Sequence, residues 1–138
     1  MILAVDVGNT RIKAAVFEGD MLFETFVFKK IALEKNIQNI LEKYKNTSHL
    51  VVASVSDVEK QAFIGFEEAV KIHFVSHKDA FPFINCYETP NTLGIDRMVL
   101  AVGATLQYPN QNRLVIDAGT CVTFDFIDEN DNYLGGAI

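Results

Sequence analysis

Two short stretches hold the residue types best suited to chemistry. DVGNTRIK runs from Asp6 to Lys13, directly after the apolar ILAV at residues 2–5. IDAGTCVTFD runs from Ile116 to Asp125, directly after another short apolar run. Each places a carboxylate at the end of a strand-like segment, then a small apolar residue, a glycine and a threonine. A glycine just after a strand permits a tight turn and lets a ligand approach the backbone N–H groups. Those amides, with the side chains of Asn9, Thr10 and Thr120, make a donor-rich concavity suited to phosphate oxygens. The carboxylates would repel phosphate unless a cation lay between, and carboxylates with bound water commonly hold Mg²⁺ beside a nucleotide. Asp6 and Asp117 are therefore candidates for opposite walls of one cleft around a metal-bridged nucleotide, with Lys13 adding positive charge if it points inward. A single Asp-x-Gly turn is ordinary hairpin chemistry; its recurrence in matching places favours a site. No GxxxxGK[ST] segment occurs, which excludes a Walker-type nucleotide loop.

A third constellation is TLGIDR, Thr92 to Arg97, before an apolar helix read over residues 97–106. Asp96 has two readings. As an N-cap it would stabilise the helix by about 1 kcal/mol. Near a phosphate site it could instead accept the proton of a hydroxyl attacking phosphorus. Arg97 in the first helical turn opposes the helix dipole, which calls for an anionic partner such as a ligand carboxylate.

The elements that must position these residues follow from hydrophobic pattern. Residues 2–5, 12–17 and 21–28 read as three strands of an antiparallel meander, with Glu18-Gly19-Asp20 as a turn. Residues 33–44 are apolar at helical spacing. Residues 49–54 read as a buried strand, and Ser56 or Asp57 can cap a helix reaching about Glu68. A short strand follows at 71–75, and 81–87 is ambiguous because Pro82 and Pro90 favour extended chain. After the helix before Tyr108-Pro109-Asn110, strands are read at 114–116, 121–127 and from Tyr133 onward. The order is β-β-β-α-β-α-β-α and then β-β-β, so the last three strands repeat the first three and suggest a duplicated fold. In the second copy no helix follows to cover the sheet, and an open strand face is aggregation-prone. The expectation is an N-terminal part of a longer protein, or a chain that another subunit completes.

The composition is globular, with 138 residues, 49% hydrophobic and 22% charged, enough for one domain of common size. The net charge of −6 argues against a nucleic-acid partner. No apolar run approaches the roughly 20 residues that cross a bilayer, and MILAVD lacks a basic leader. A soluble cytoplasmic protein without a membrane partner is expected. Cys86 and Cys121 have no metal-like spacing and read as small core thiols. His73 and His77 would lie roughly 13 Å apart on a strand, too far to share a metal. His49 reads as structural, the Asp128–Asn132 run as a solvated turn, and the phenylalanines at 23, 26, 28, 63, 66, 74, 81 and 83 as core.

DVGNTRIK, LGIDR and IDAGTCVTFD, in that order and spacing and with GGAI at 135–138, resemble the type III pantothenate kinases. Those belong to the acetate and sugar kinase/Hsc70/actin superfold. The resemblance covers the whole chain and about the first half of a family member. Asp-x-Gly alone is shared across the superfold, whereas its combination with Gly-x-Asp-Arg is much more specific. The resemblance implies an α/β, actin-like (ribonuclease H-like) fold with a mixed sheet. Residues 1–112 would form the first domain and 113–138 the start of a second. It implies ATP-dependent phosphorylation of pantothenate to 4′-phosphopantothenate, the first step of coenzyme A synthesis. By position, Asp6, Val7, Gly8, Asn9, Thr10, Arg11, Ile12 and Lys13 would form the first phosphate loop, with Asp6 helping to hold Mg²⁺. Gly94, Ile95, Asp96 and Arg97 would form the pantothenate motif, Asp96 as general base on the primary hydroxyl and Arg97 meeting the carboxylate. Asp117 would bind a monovalent cation, K⁺ or NH₄⁺, and Gly119 and Thr120 would contact ATP. Tyr87 matches an aromatic lining the pantothenate pocket; a half-buried strand tyrosine is its other reading. The resemblance also implies a homodimer with the site close to the subunit interface. The family's C-terminal half, which closes over the nucleotide, has no counterpart here, so this piece alone is expected to show little or no kinase activity. Two other functions stay open: a non-catalytic, nucleotide-binding regulatory (transcriptional accessory) protein on the same scaffold, and a kinase of the superfold acting on acetate or a sugar.

Overall fold

The computed structural model describes residues 1–54 and 58–138, side chains excepted at 58 and 59. Its residues group into two units, Met1–Val75 and Ser76–Ile138. In the first, alternation of apolar and polar residues produces β1 (Ile2–Val7), β2 (Ile12–Glu18) and β3 (Met21–Phe28), an antiparallel meander as the pattern predicts. Gly19, at φ +56°, turns the β2–β3 hairpin in a conformation that favours glycine. β4 (His49–Ser54) lies parallel to β1, and β5 (Lys71–Phe74) parallel to β4, giving the sheet order β3-β2-β1-β4-β5. One face of this sheet presents Leu3, Val5, Val7, Ile12, Ala14, Val16, Leu50 and Val52, all buried. They form a single core with Leu33, Ile37 and Ile40 of α1 (Leu33–Lys43) and with Phe63.

The segment between β4 and β5 is a 3-10 helix, Val58–Phe66, rather than an α-helix reaching Glu68. The proposed cap at Ser56 or Asp57 lies outside the described residues. Of the side chains described in this segment only Phe63 is fully buried, so packing does not enforce an α-helical period there. Phe23 departs from the core assignment and is 45% exposed. Phe26, Phe28, Phe66 and Phe74 are half-buried against the core.

The second unit contains β6 (Ile84–Asn85), α2 (Ile95–Gln107), β7 (Arg113–Ala118), β8 (Val122–Ile127) and β9 (Asn132–Ala137). Its sheet runs β6-β9-β8-β7, with β7, β8 and β9 antiparallel and the two-residue β6 parallel to β9. The ambiguous stretch around Pro82 thus yields only a minimal strand. α2 buries Ile95, Met98, Ala101 and Thr105 and packs on β7 and β8, the strands that follow it in sequence. Two glycines of β9 are close-approach positions. A Cβ on Gly136 would fall 1.5 Å from the carbonyl oxygen of Phe124, and one on Gly135, at φ +92°, would fall 2.7 Å from the Tyr87 ring. Arg113, buried on β7, donates to the carbonyls of Tyr108 and Asp128 and to the Asp131 carboxylate at 2.7 Å, bracing the β8–β9 turn.

The other face of the second sheet is apolar and open. Register places Leu114 opposite Phe126, Ile116 opposite Phe124 and Ala118 opposite Val122, and the large members of these pairs are 37–61% exposed. The core-thiol reading fails: Cys86 and Cys121 are both free and exposed, because Cys86 alternates outward beside the inward Asn85 and Tyr87, and Cys121 sits in the β7–β8 turn.

Ile37 is fully buried beneath the first sheet, and its truncation to alanine should destabilise that unit by about 2–5 kcal/mol. Truncation of the exposed Lys35 should change stability by less than about 0.5 kcal/mol. Equal shifts of the two urea-unfolding midpoints would contradict this packing.

Candidate functional site

Both Asp-Gly segments fold as strand–turn–strand. In the first, Asp6 is the penultimate residue of β1, and the Gly8 N–H donates to the Arg11 carbonyl at 3.1 Å to close the turn over Gly8, Asn9, Thr10 and Arg11. A Cβ on Gly8 would sit 3.1 Å from that same carbonyl, which explains the small residue there. Val7 pairs with Ile12 and Asp6 with Lys13, so Asp6 and Lys13 are direct neighbours on the sheet face opposite the buried core. In the second, Asp117 is the penultimate residue of β7, and the Gly119 N–H donates to the Cys121 carbonyl at 2.9 Å. Asp117 pairs with Thr123, and Val115 with Asp125. Asp117, Thr123 and Asp125 therefore share the face that α2 covers, with Asp117 a diagonal neighbour of Asp125, typically about 7–8 Å away. Asp6 and Asp117 are both half-buried, while Asn9, Thr10, Gly119 and Thr120 are exposed at the turns.

The Gly94–Arg97 motif opens α2 two residues earlier than the sequence suggests. Gly94 is the N-cap and gives the first helical acceptor, the Met98 N–H donating to its carbonyl at 3.2 Å. Asp96 is thus inside the first turn and does not cap the helix, correcting that reading. Its carboxylate folds back to accept from the Arg97 N–H at 2.9 Å, and a Cβ on Gly94 would lie 2.4 Å from it. Glycine at 94 therefore makes room for the Asp96 carboxylate. An acidic group in the first turn also suits the dipole.

Arg97 does have an anionic partner, and it lies within the chain. Its Nε donates to both oxygens of Asp125, at 3.0 and 3.1 Å, and Nη2 donates to Oδ1. Both side chains are buried, and the Tyr133 hydroxyl also donates to Asp125. Asp125 raises the Arg97 pKa further above its ordinary value, so the guanidinium stays charged. Burial, and then the bond to Asp125, push the Tyr133 hydroxyl well above the usual phenol range. The Tyr87 ring lies over Arg97, its centroid 5.7 Å from Cζ, and also packs against Tyr133 at 6.4 Å. Tyr87, Asp96 and Arg97 are thereby brought together.

Sequence reasoning missed Asp125 and Tyr133. The signal existed. Asp125 alternates with Thr123 and Ile127 on the buried side of β8, and a carboxylate there needs a cation or donors. Other candidates resolve differently. His77 is tied to the Leu93 carbonyl at 2.7 Å, and His49 Nδ1 to the Ser48 hydroxyl at 2.8 Å. Two clefts in the second unit measure about 590 and 260 Å³, and neither is lined by Tyr87, Gly94, Asp96 or Arg97.

Comparison with known proteins bears on the whole chain. The type III pantothenate kinase family model matches residues 2–138. A type III pantothenate kinase of Flavobacterium johnsoniae is 72% identical over all 138 residues, and one of Christiangramia forsetii 39%. The chain spans 57% of the length of each. A solved structure described as a Baf family transcriptional activator from Campylobacter jejuni superposes with a TM-score of 0.53 at 23% identity, covering 97% of this chain and 52% of that one. That likeness speaks for the fold alone. The match across residues 2–138, over the same glycine turns and Gly-x-Asp-Arg helix start described above, makes this chain a member of the type III pantothenate kinase family.

Proposed function

We propose that the protein containing this chain transfers the γ-phosphoryl group of ATP to the primary hydroxyl of pantothenate, the first step of coenzyme A synthesis. One observation carries the proposal: adjacent residues at the start of α2 present a carboxylate and a guanidinium held charged by Asp125. That pair suits a substrate with a hydroxyl at one end and a carboxylate at the other. Asp96 accepts the hydroxyl proton as the oxygen attacks the γ-phosphorus and the bond from that phosphorus to the β-phosphate oxygen breaks, so that ADP leaves and the proton stays on the carboxylate. Arg97 holds the substrate carboxylate and so fixes the hydroxyl at Asp96. Tyr87 forms part of the pocket wall.

The turns at Gly8–Lys13 and Gly119–Thr120 cradle the nucleotide phosphates with backbone amides and hydroxyls. Asp6 and Asp117 offer hard oxygen donors at strand ends, the donor type that Mg²⁺ and K⁺ or NH₄⁺ take. We assign Asp6 to Mg²⁺, through water, and Asp117 to the monovalent cation. Mg²⁺ bound there neutralises charge on the phosphates. The matching meanders β1–β3 and β7–β9 support an actin-like, duplicated architecture, with residues 1–112 as the first domain and 113–138 opening the second. No helix among the described residues is long and apolar enough to cross a membrane, and we place the protein in the cytoplasm as a homodimer. A regulatory, non-catalytic nucleotide binder is the second reading. It has no use for a base beside a second pocket, and the net charge of −6 opposes DNA contact.

In a chain of the relatives' full length, Asp96→Asn should lower pantothenate-dependent ADP release by roughly 10²–10⁴-fold with little change in KM. An unchanged rate would remove Asp96 from the base role. Gly94→Ala, which displaces the Asp96 carboxylate, should lower kcat in the same direction, and a wild-type kcat would contradict the packing argument. The 138-residue piece assayed alone should turn over pantothenate at a small fraction of the full-length rate, because it spans only 57% of the length of related kinases; equal rates would refute this.

A further inference from the structure

A guanidinium offers a carboxylate two double-donor edges, the side edge of Nε and Nη2 and the end edge of Nη1 and Nη2. In this protein Asp125 occupies the side edge of Arg97. Asp125 is 1% exposed and receives the Tyr133 hydroxyl as well, so its carboxylate cannot rotate freely. Tyr133 is itself fully buried, with its ring 5.6 Å from that of Phe83. The Arg97 Cζ lies over the Tyr87 ring, 5.7 Å from its centroid, and the ring reaches that place because Gly135 has no Cβ. Side edge and anchor are thus defined by the protein, with the Tyr87 ring beside the guanidinium, while the end edge is not taken by Asp125.

We propose that Asp125 and Tyr133 are positioning residues that lock Arg97 so that its end edge receives the carboxylate of the substrate. The inference rests on the reading that Arg97 meets pantothenate. The gain is preorganisation. A free arginine side chain must give up rotamer freedom on meeting its ligand, whereas this one has already done so during folding. Because Asp125 already balances the charge of Arg97, selection of an anionic substrate depends on the geometry of the end edge rather than on net positive charge.

The test compares pantothenate with an analogue whose carboxylate is replaced by a neutral amide, in a chain of the relatives' full length. Tyr133→Phe keeps the packed ring and removes only the hydroxyl. It should raise KM for pantothenate roughly fivefold, with kcat and the KM for ATP changed less than about twofold. The analogue's kcat/KM should stay within about twofold of wild type. Asp125→Asn should act in the same direction and more strongly; if that variant does not fold, Tyr133→Phe decides. Equal losses on pantothenate and the analogue, or a fall in kcat with KM unchanged, would overturn the positioning role. No turnover of pantothenate by the unsubstituted protein would overturn the functional reading and this inference with it.

Discussion

A guanidinium taken out of water needs an anion beside it, and in the second unit the pairing of Arg97 with Asp125 meets that need while setting the placement of its neighbours. The Arg97 and Asp125 side chains are 8% and 1% exposed. Removing one member of such a pair generally costs about 3–5 kcal/mol, because the other is left buried and uncompensated. The pair ties the first turn of α2 to the middle of β8. It thereby fixes where Asp96 projects, since Asp96 and Arg97 are consecutive. It also sets the requirement for Tyr133, whose hydroxyl fills a further acceptor position on Asp125, and for the close packing of Tyr87 over Gly135. A cation in the first turn of a helix is electrostatically misplaced; with Asp125 next to it, the misplacement becomes an anchor.

The same sheet carries the second element of the chemistry. Asp117 and Asp125 lie on one face of β7 and β8, so the strand-end carboxylate and the partner of Arg97 are built on a common support. In the first unit Asp6 lies on the sheet face opposite the hydrophobic core, with Lys13 as its direct cross-strand neighbour. Each unit thus dedicates one sheet face to apolar packing or helix cover and sets its acidic strand end beside a glycine turn. The other face of the second sheet, bearing Leu114, Ile116, Phe124 and Phe126, is apolar and exposed.

Much of this was legible in the sequence. Strand alternation located β1 to β4 within a residue or two, and the recurrence of Asp-x-Gly marked both turns, because period-two burial and glycine placement are local properties. Arg97's need for an anion was also readable from its position. The identity of that anion was not, since it depends on a contact between residues 28 apart: Asp125 of β8 stands beside Arg97. The start of α2 was misplaced because Gly94 caps it through its backbone, whereas the sequence offered Asp96 as the more familiar cap. Cys86 and Cys121 were assigned to the core from residue type alone, and the alternation beside Tyr87 and the tightness of the β7–β8 turn put both outside. The region around Pro82 gave no periodicity, and the two-residue β6 exists only because β9 offers it an edge.

The proposed chemistry depends most on Asp96 and Arg97 at the start of α2 meeting the two ends of one small acid. The most direct measurement is a crystal structure of the full-length protein with a non-hydrolysable ATP analogue, Mg²⁺ and pantothenate. The expected result is the pantothenate hydroxyl within hydrogen-bonding reach of Asp96 and its carboxylate on the end edge of Arg97. Nucleotide density away from both turns, or a pantothenate carboxylate remote from Arg97, would contradict it.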